Sequence, residues 1–344
     1  MKRKYFVAAL LILAGIFSWA IAPVPEVTRN GFAMNTIIRM TAYTKDDKLI
    51  DDAYALLAEL DSQLSMYNPS SDISRINSHA GVENVNVPDS VVEVVRDSRR
   101  LYDATSGIFN PLIGAVTRLW KINRADNSIP SRESLESALA LSEIHNLEIS
   151  DGHIFLKSKG CVLDLGGIAK GYASKKIAEL FTNRGVTSGL IDLGGNIYVV
   201  GKKLDGENWK IGVRNPLDPY GNPVLALSVN DCSVITSGGY ERFKVVDGKR
   251  YTHFFDPKTG ESVMSDLLSA TLVTPDGSLA DGLATAFMIA GFDESAKILA
   301  RLSPMPGAIL IREKDGKPEI LATSNLREAI TGSKYPVSFF TVSQ

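Results

Sequence analysis

The sequence predicts an α+β fold, a single compact body with mixed, largely antiparallel sheets and flanking helices. Three observations carry this. The first 150 residues hold three segments with apolar residues at helical spacing. From residue 161 the texture changes to short apolar strands punctuated by glycine, with further helices among them. Helices and antiparallel-type strands thus alternate in mixed order, which does not suit a doubly wound parallel sheet. No linker is long enough to separate autonomous domains.

In chain order, residues 34–44 alternate apolar and polar side chains like a strand. Residues 49–66 place Ile50, Ala53, Leu57, Leu60 and Leu64 on one helical face. Residues 67–72 break that period as a loop. Pro88-Asp89 opens a second helix that ends near Gly107, and a short third one covers about 132–142. The aperiodic polar residues 121–131 read as a surface connection. Residues 161–165 read as a strand, followed by Gly166-Gly167 and a helix over 169–183 that stops at Gly185. Residues 189–200 form a strand interrupted by Gly194-Gly195. Strands are expected at 208–214, 223–229, 232–236, 250–255 and 267–274. Ser278 opens a helix to Ala290, Gly291 ends it, and another helix spans 293–302. Strands near 307–312 and 336–342 close the chain.

The N-terminus has its own organisation. Lys2, Arg3 and Lys4 precede an apolar run over residues 5–22, the pattern of an export signal. Ala20-Ile21-Ala22 offers a small-residue cleavage site, and the run also approaches the length of a membrane-spanning helix. Residues 1–22 are therefore expected to be a signal peptide or an N-terminal membrane anchor, with 23–344 as the working body outside the cytoplasm. The whole chain carries a formal charge of −2, and removing three cations gives −2 − 3 = −5 for the body. Its cations are interspersed with carboxylates, so the basic stripe of a nucleic-acid binder is absent. Four histidines and two isolated cysteines, Cys161 and Cys232, argue against a His/Cys zinc site. The two thiols read either as one disulfide or as two buried small hydrophobes.

Four constellations bear chemical groups. In the run 164–171, two glycines turn a strand into a helix whose first turn carries Lys170. Free N–H groups plus one ammonium suit a phosphate, although a plain strand–helix turn explains the same residues. Diglycines recur at Gly194-Gly195 and Gly238-Gly239, so three such turns are candidates to line one cleft. Asp281 and Thr285 lie four apart and share a helix face, offering hard oxygen ligands for Mg²⁺. Ser278 and Asp281 also make a capping pattern, which spacing alone favours. Finally, His253 sits in a strand before the turn Asp256-Pro257, either as a base near neutral pH or as an ordinary structural residue.

Together these segments resemble one family, the ApbE family of FAD:protein FMN transferases. The likeness runs from about Met34 to the last strands. Its blocks come in order: Met34-Asn35-Thr36, Leu64 to Tyr67 with Ser71 to Asn77, Ser106 to Pro111, Asp164 to Gly171, Asp192 to Asn196, Thr236 to Phe243, His253 to Gly260 and Ala280 to Thr285. Each block is weak alone, and the ordered set is specific. The resemblance implies a T-fold-related body. It also implies a backbone oxygen of Gly167 and the side chains of Asp281 and Thr285 on Mg²⁺. Lys170 and the surrounding backbone would hold the pyrophosphate of FAD. Met34, Tyr67, Ile108, Phe109, Asn110, Asp164 and Phe254 match flavin- and adenine-binding positions, and His253 matches the candidate base. Two departures stand out. Asn35 replaces a usual glycine, a change that tolerates a left-handed turn, and Asn110 replaces a usual aspartate, removing a carboxylate.

The implied reaction moves the FMN half of FAD onto a Thr or Ser hydroxyl of another protein and releases AMP. Implied partners are exported acceptor proteins of membrane electron-transfer systems, and the implied compartment is the periplasm. Two rivals use the same residues: a Mg²⁺-dependent FAD pyrophosphatase giving FMN and AMP, and a flavin-binding protein without catalysis.

Overall fold

A computed structural model of the protein describes residues 24–122 and 127–342. The expected signal or anchor segment, and part of the 121–131 connection, lie outside the described residues. Seven helices are described: α1 Leu49–Leu64, α2 Asp72–Ser78, α3 Asp89–Ala104, α4 Gly114–Trp120, α5 Arg132–Ala140, α6 Ala169–Asn183 and α7 Gly277–Ala300.

A nine-stranded sheet forms the spine. Its spatial order is Glu26–Ala33, Thr36–Tyr43, Ser188–Leu193, Asn196–Gly201, Cys232–Gly238, Leu267–Thr274, Gly307–Lys314, Lys317–Thr323 and Val337–Phe340. Every neighbouring pair is antiparallel except the last, which is parallel. Strand alternation divides the core in two. Ala308, Leu310 and Leu321 face the side covered by α1, α3, α6 and α7. Ile309, Ile311, Ile320 and Ala322 face the other side, against a three-stranded sheet of Ile330–Ser333, Leu225–Val229 and Trp209–Val213. A small third cluster of Val116, Trp120, Leu135, Ala138 and Phe255 lies apart from both.

Several local expectations change. Residues 161–165 form no strand. Their one ladder contact is a bridge between Val162 and Ile113, and the segment instead fills the core with Cys161, Val162, Leu163 and Leu165. Gly194-Gly195 is a hairpin turn rather than an interruption, with φ of 70° and 96° joining two antiparallel strands. The first strand, the helices α2 and α4, the hairpin Leu147–Ser150/His153–Leu156 and the strand Lys317–Thr323 were not expected from periodicity. The expected break at Gly291 is present: its φ of 75° kinks α7, and Asp266 accepts a hydrogen bond from the Phe292 N–H beyond it. Both cysteines are buried free thiols in separate clusters.

Candidate active site

The start of α6 and the start of α7 lie back to back. A Cβ on Gly171 would collide with the Gly277 carbonyl oxygen and come within 2.5 Å of Asp281 Cβ, so only glycine permits this approach. Asp276, not Ser278, caps α7: its side chain accepts from the Leu279 N–H. That corrects the capping pattern read from Ser278 and Asp281, and it leaves the Asp281 carboxylate for another use. Asp281 is 3% exposed, and its Oδ2 accepts the Gly171 N–H at 2.8 Å. One helical turn on, Thr285 Oγ1 stands 3.4 Å from the carbonyl oxygen of Gly167. Burial raises the Asp281 pKa, while the Lys170 ammonium, the Gly171 N–H and the nearby Asn196 amide oppose that rise.

His253 is held from the opposite side. Its Nδ1 is 3.0 Å from the Arg242 carbonyl oxygen. A carbonyl only accepts, so Nδ1 carries the proton and Nε2 is left with a lone pair. Burial lowers the imidazole pKa to about 4, and the Arg242 and Lys170 charges act in the same direction. The ring centroid lies 4.1 Å from that of Phe254. His253 and Arg242 flank a two-stranded hairpin, Phe243–Val246 with Lys249–Thr252. An isolated hairpin is marginal in water. This one is fastened by Lys244, which is 7% exposed and donates to the carbonyl oxygens of Trp120 and Ser128. Tyr251 adds a ring 5.3 Å from Trp120.

The remaining wall comes from three loops. Met34 and Asn35 form the two-residue turn between the first two strands, both left-handed with φ of 47° and 60°. Such turns favour asparagine and glycine, so Asn35 keeps the geometry. Asp61 Oδ2 accepts the Met34 N–H at 3.0 Å and fixes the turn against α1. Phe109 is buried below, its N–H held by Thr105 Oγ1. Asn110 donates from Nδ2 to the Ser142 carbonyl and accepts the Leu112 N–H at Oδ1, so its amide braces the loop. Asp164 Oδ1 accepts the Gly166 N–H, and burial raises its pKa while Thr117 and Arg118 counter that rise.

These elements enclose a cleft of about 900 Å³, within the range of small-molecule sites. Met34, Tyr67, Ile108, Phe109, Asn110, Asp164, Gly167, Lys170, His253, Phe254, Asp281 and Thr285 all line it. Of the three diglycines, only Gly166-Gly167 does so. Gly194 packs against Thr36 behind the Met34 turn, and Gly238 follows the lining residues Thr236 and Ser237. Sequence reasoning missed Asp61, Thr117, Arg118, Glu241 and Arg242 as lining residues. Glu241 and Arg242 lay inside a block already singled out. Asp61 and Arg118 lie on helices outside every such block. Among the described residues no group of three His, Cys, Asp or Glu side chains could hold a metal. A cation here would rest on one carboxylate with neutral oxygens.

A family model described as "ApbE family" matches residues 34–309. An FAD:protein FMN transferase of Treponema pallidum is 32% identical over 313 residues, covering 85% of this chain and 86% of that protein. One from Vibrio cholerae is 28% identical, covering 92% and 96%. Among solved structures, the flavin transferase ApbE of Vibrio cholerae superposes with a TM-score of 0.80 at 26% identity, covering 89% of this chain and all of that one. The flavinyl transferase ApbE of Pseudomonas stutzeri, apo form, gives 0.81 at 25%, covering 91% and 99%.

Proposed function

The chain belongs to the ApbE family and is an FAD:protein FMN transferase, and from that premise we propose that it works with Mg²⁺ and modifies a Thr or Ser hydroxyl of an exported acceptor protein. One observation carries the metal assignment. A buried carboxylate, a threonine hydroxyl and a backbone carbonyl converge beside the Lys170 end of α6. Cis ligands around Mg²⁺ stand about 3 Å apart given its metal–oxygen distance. The 3.4 Å between Thr285 Oγ1 and Gly167 O is long for a hydrogen bond and near that ligand spacing. The donor set, all hard oxygen, fits magnesium better than a softer metal.

Bound there, the cation would neutralise charge on the FAD pyrophosphate and on the departing AMP. Lys170 binds the same phosphates through its ammonium, since the Ala169 and Gly171 N–H groups are already given to the Leu165 carbonyl and to Asp281. Phe109, Phe254 and Ile108 supply apolar surface for the flavin or adenine rings, and Tyr67, 62% exposed, stands at the mouth. His253 Nε2 takes the proton from the acceptor hydroxyl. That oxygen then forms a bond to the phosphorus on the FMN side, while the bond from that phosphorus to the AMP oxygen breaks. The products are a phosphoester-linked flavoprotein and AMP. The basic and apolar start of the sequence, Lys2 to Ala22, supports placing this body in the periplasm as an exported or membrane-anchored enzyme.

The test is to incubate the protein with FAD, Mg²⁺ and a flavin-acceptor domain, reading acceptor mass and released AMP together. A gain of one FMN, abolished by chelator, is expected. AMP and free FMN with the acceptor unmodified would point to the pyrophosphatase instead. Bound FAD with no AMP would leave only a binding protein.

A further inference from the structure

We propose that the outer face of the hairpin Phe243–Val246/Lys249–Thr252 is the docking surface for the acceptor protein, and that the acceptor meets it with an apolar spot rimmed by carboxylates. This rests on the transferase reading above. The reaction brings one hydroxyl of the acceptor to His253 Nε2, so a folded acceptor protein must touch the rim around that atom. The hairpin is that rim: Arg242 precedes its first strand, His253 follows its second, and both line the cleft.

Its two faces differ in a way that folding does not require. Lys244 and Tyr251 are cross-strand partners on the inner face, fastened to Trp120. Phe243 and Val245 point the other way, 38% and 52% exposed, one and three residues from Arg242. At about 3.3 Å per residue they lie within roughly 10 Å of the cleft. Arg250, cross-strand from Val245, places its guanidinium 3.9 Å from the Phe243 ring centroid. The face is therefore apolar at its centre and cationic at its edge, a composition favoured at interface hot spots.

Charge selects the partner. With Lys244 turned inward, residues 242–252 present Arg242, Lys249 and Arg250 against Asp247 alone, within a body of net −5. On this rim the hairpin adds positive charge beside the lining cations Arg118 and Lys121. An acidic acceptor surface is attracted to it and repelled by the rest of the molecule, which speeds encounter in the productive orientation.

The experiment uses the full chain with FAD, Mg²⁺ and two probes. One is an exported flavin-acceptor domain. The other is a short peptide of that domain containing the modified hydroxyl. In the double variant Phe243→Ser/Val245→Ser, the half-saturating concentration of the domain should rise about tenfold. Half-saturation by the peptide and by FAD should stay unchanged. Arg250→Glu, a surface change that leaves the inner clamp intact, should raise the domain value alone and flatten its salt dependence. This variant decides the matter if the double variant fails to fold. Unmoved half-saturation for the domain would overturn the proposal, as would an equal rise for the peptide. If the unaltered protein binds FAD but modifies neither probe, the transferase reading fails first and takes this one with it.

Discussion

On one side of the cleft, Asp281 and Thr285 ride on a helix pressed against its neighbour through two glycines, inside the main core. On the other, His253 follows a two-stranded hairpin tied to the body by buried Lys244, by Thr252, which donates to the Val263 carbonyl, and by the Tyr251 ring against Trp120. In the mechanism proposed above, the first wall holds oxygen atoms against a cation and phosphates, where displacement of a few tenths of an ångström matters, and the second holds a proton acceptor while a protein partner comes and goes. Rigidity is concentrated where charge is concentrated, and the periphery serves the exchangeable reactant.

The largest effect is expected at the rigid wall. Asp281→Ala should reduce Mg²⁺-dependent AMP release by about a hundredfold or more, the scale on which removal of a preorganised charge acts. Asp281→Asn keeps an acceptor for the Gly171 N–H and should retain near-normal thermal stability with the same loss of activity. Full activity in either variant would dissolve the contrast between the walls. Next comes Gly171→Ala, in which the added methyl meets a carbonyl oxygen with nowhere to move. Overpacking of this kind costs about 1–3 kcal/mol, readable as a lower melting temperature along with weaker FAD binding.

His253→Ala should slow transfer by about a hundredfold while FAD still binds at its normal concentration; unchanged turnover would remove the base. Its pH behaviour sharpens the point. The folded imidazole has its pKa near 4 against an ordinary 6.5. The acid limb belonging to His253 should therefore appear near pH 4. Between those values the unfolded chain binds a proton that the folded chain does not, so stability falls as pH drops from 6.5 towards 4. The alanine variant should show a shallower fall in that window in equilibrium denaturation. A smaller effect is expected at the clamp. Lys244→Met removes the ammonium that donates to the Trp120 and Ser128 carbonyl oxygens, at about 1–3 kcal/mol, and should lower the transfer rate severalfold, with partial rescue by Lys244→Arg. Least of all at FAD, Asn110→Asp sets an acceptor oxygen against the Ser142 carbonyl where an N–H donated, about 1–3 kcal/mol of stability, with FAD half-saturation within about twofold.

How far the sequence reached follows the same division. The helices α1, α3 and α6 were legible because each buries one periodic face. The strand expected at 161–165 failed because an apolar run says only that side chains are buried. It does not say that the backbone finds a ladder. The hairpin 188–201 looked like one strand because alternation continues through its turn. Asp281 was legible as a cleft residue through family likeness, yet its cap reading was wrong: Asp276, five residues earlier, already held the helix end. Lys244 gave no signal, since a lysine on a strand normally reaches solvent, and only the fold shows what it reaches instead.

The paired glycines also shape how this enzyme can vary. At Gly171 and Gly277 neither partner has a side chain left to trim, so a change at one position cannot be relieved by a smaller residue at the other. Substitution there is a one-way street: every step adds atoms, and reversal is the sole local remedy. The loops around Tyr67 and the hairpin tip have no such lock. A substitution at this seam should therefore be penalised, while one at the hairpin tip Gly248, where an added Cβ meets nothing within 4 Å, faces no such steric block.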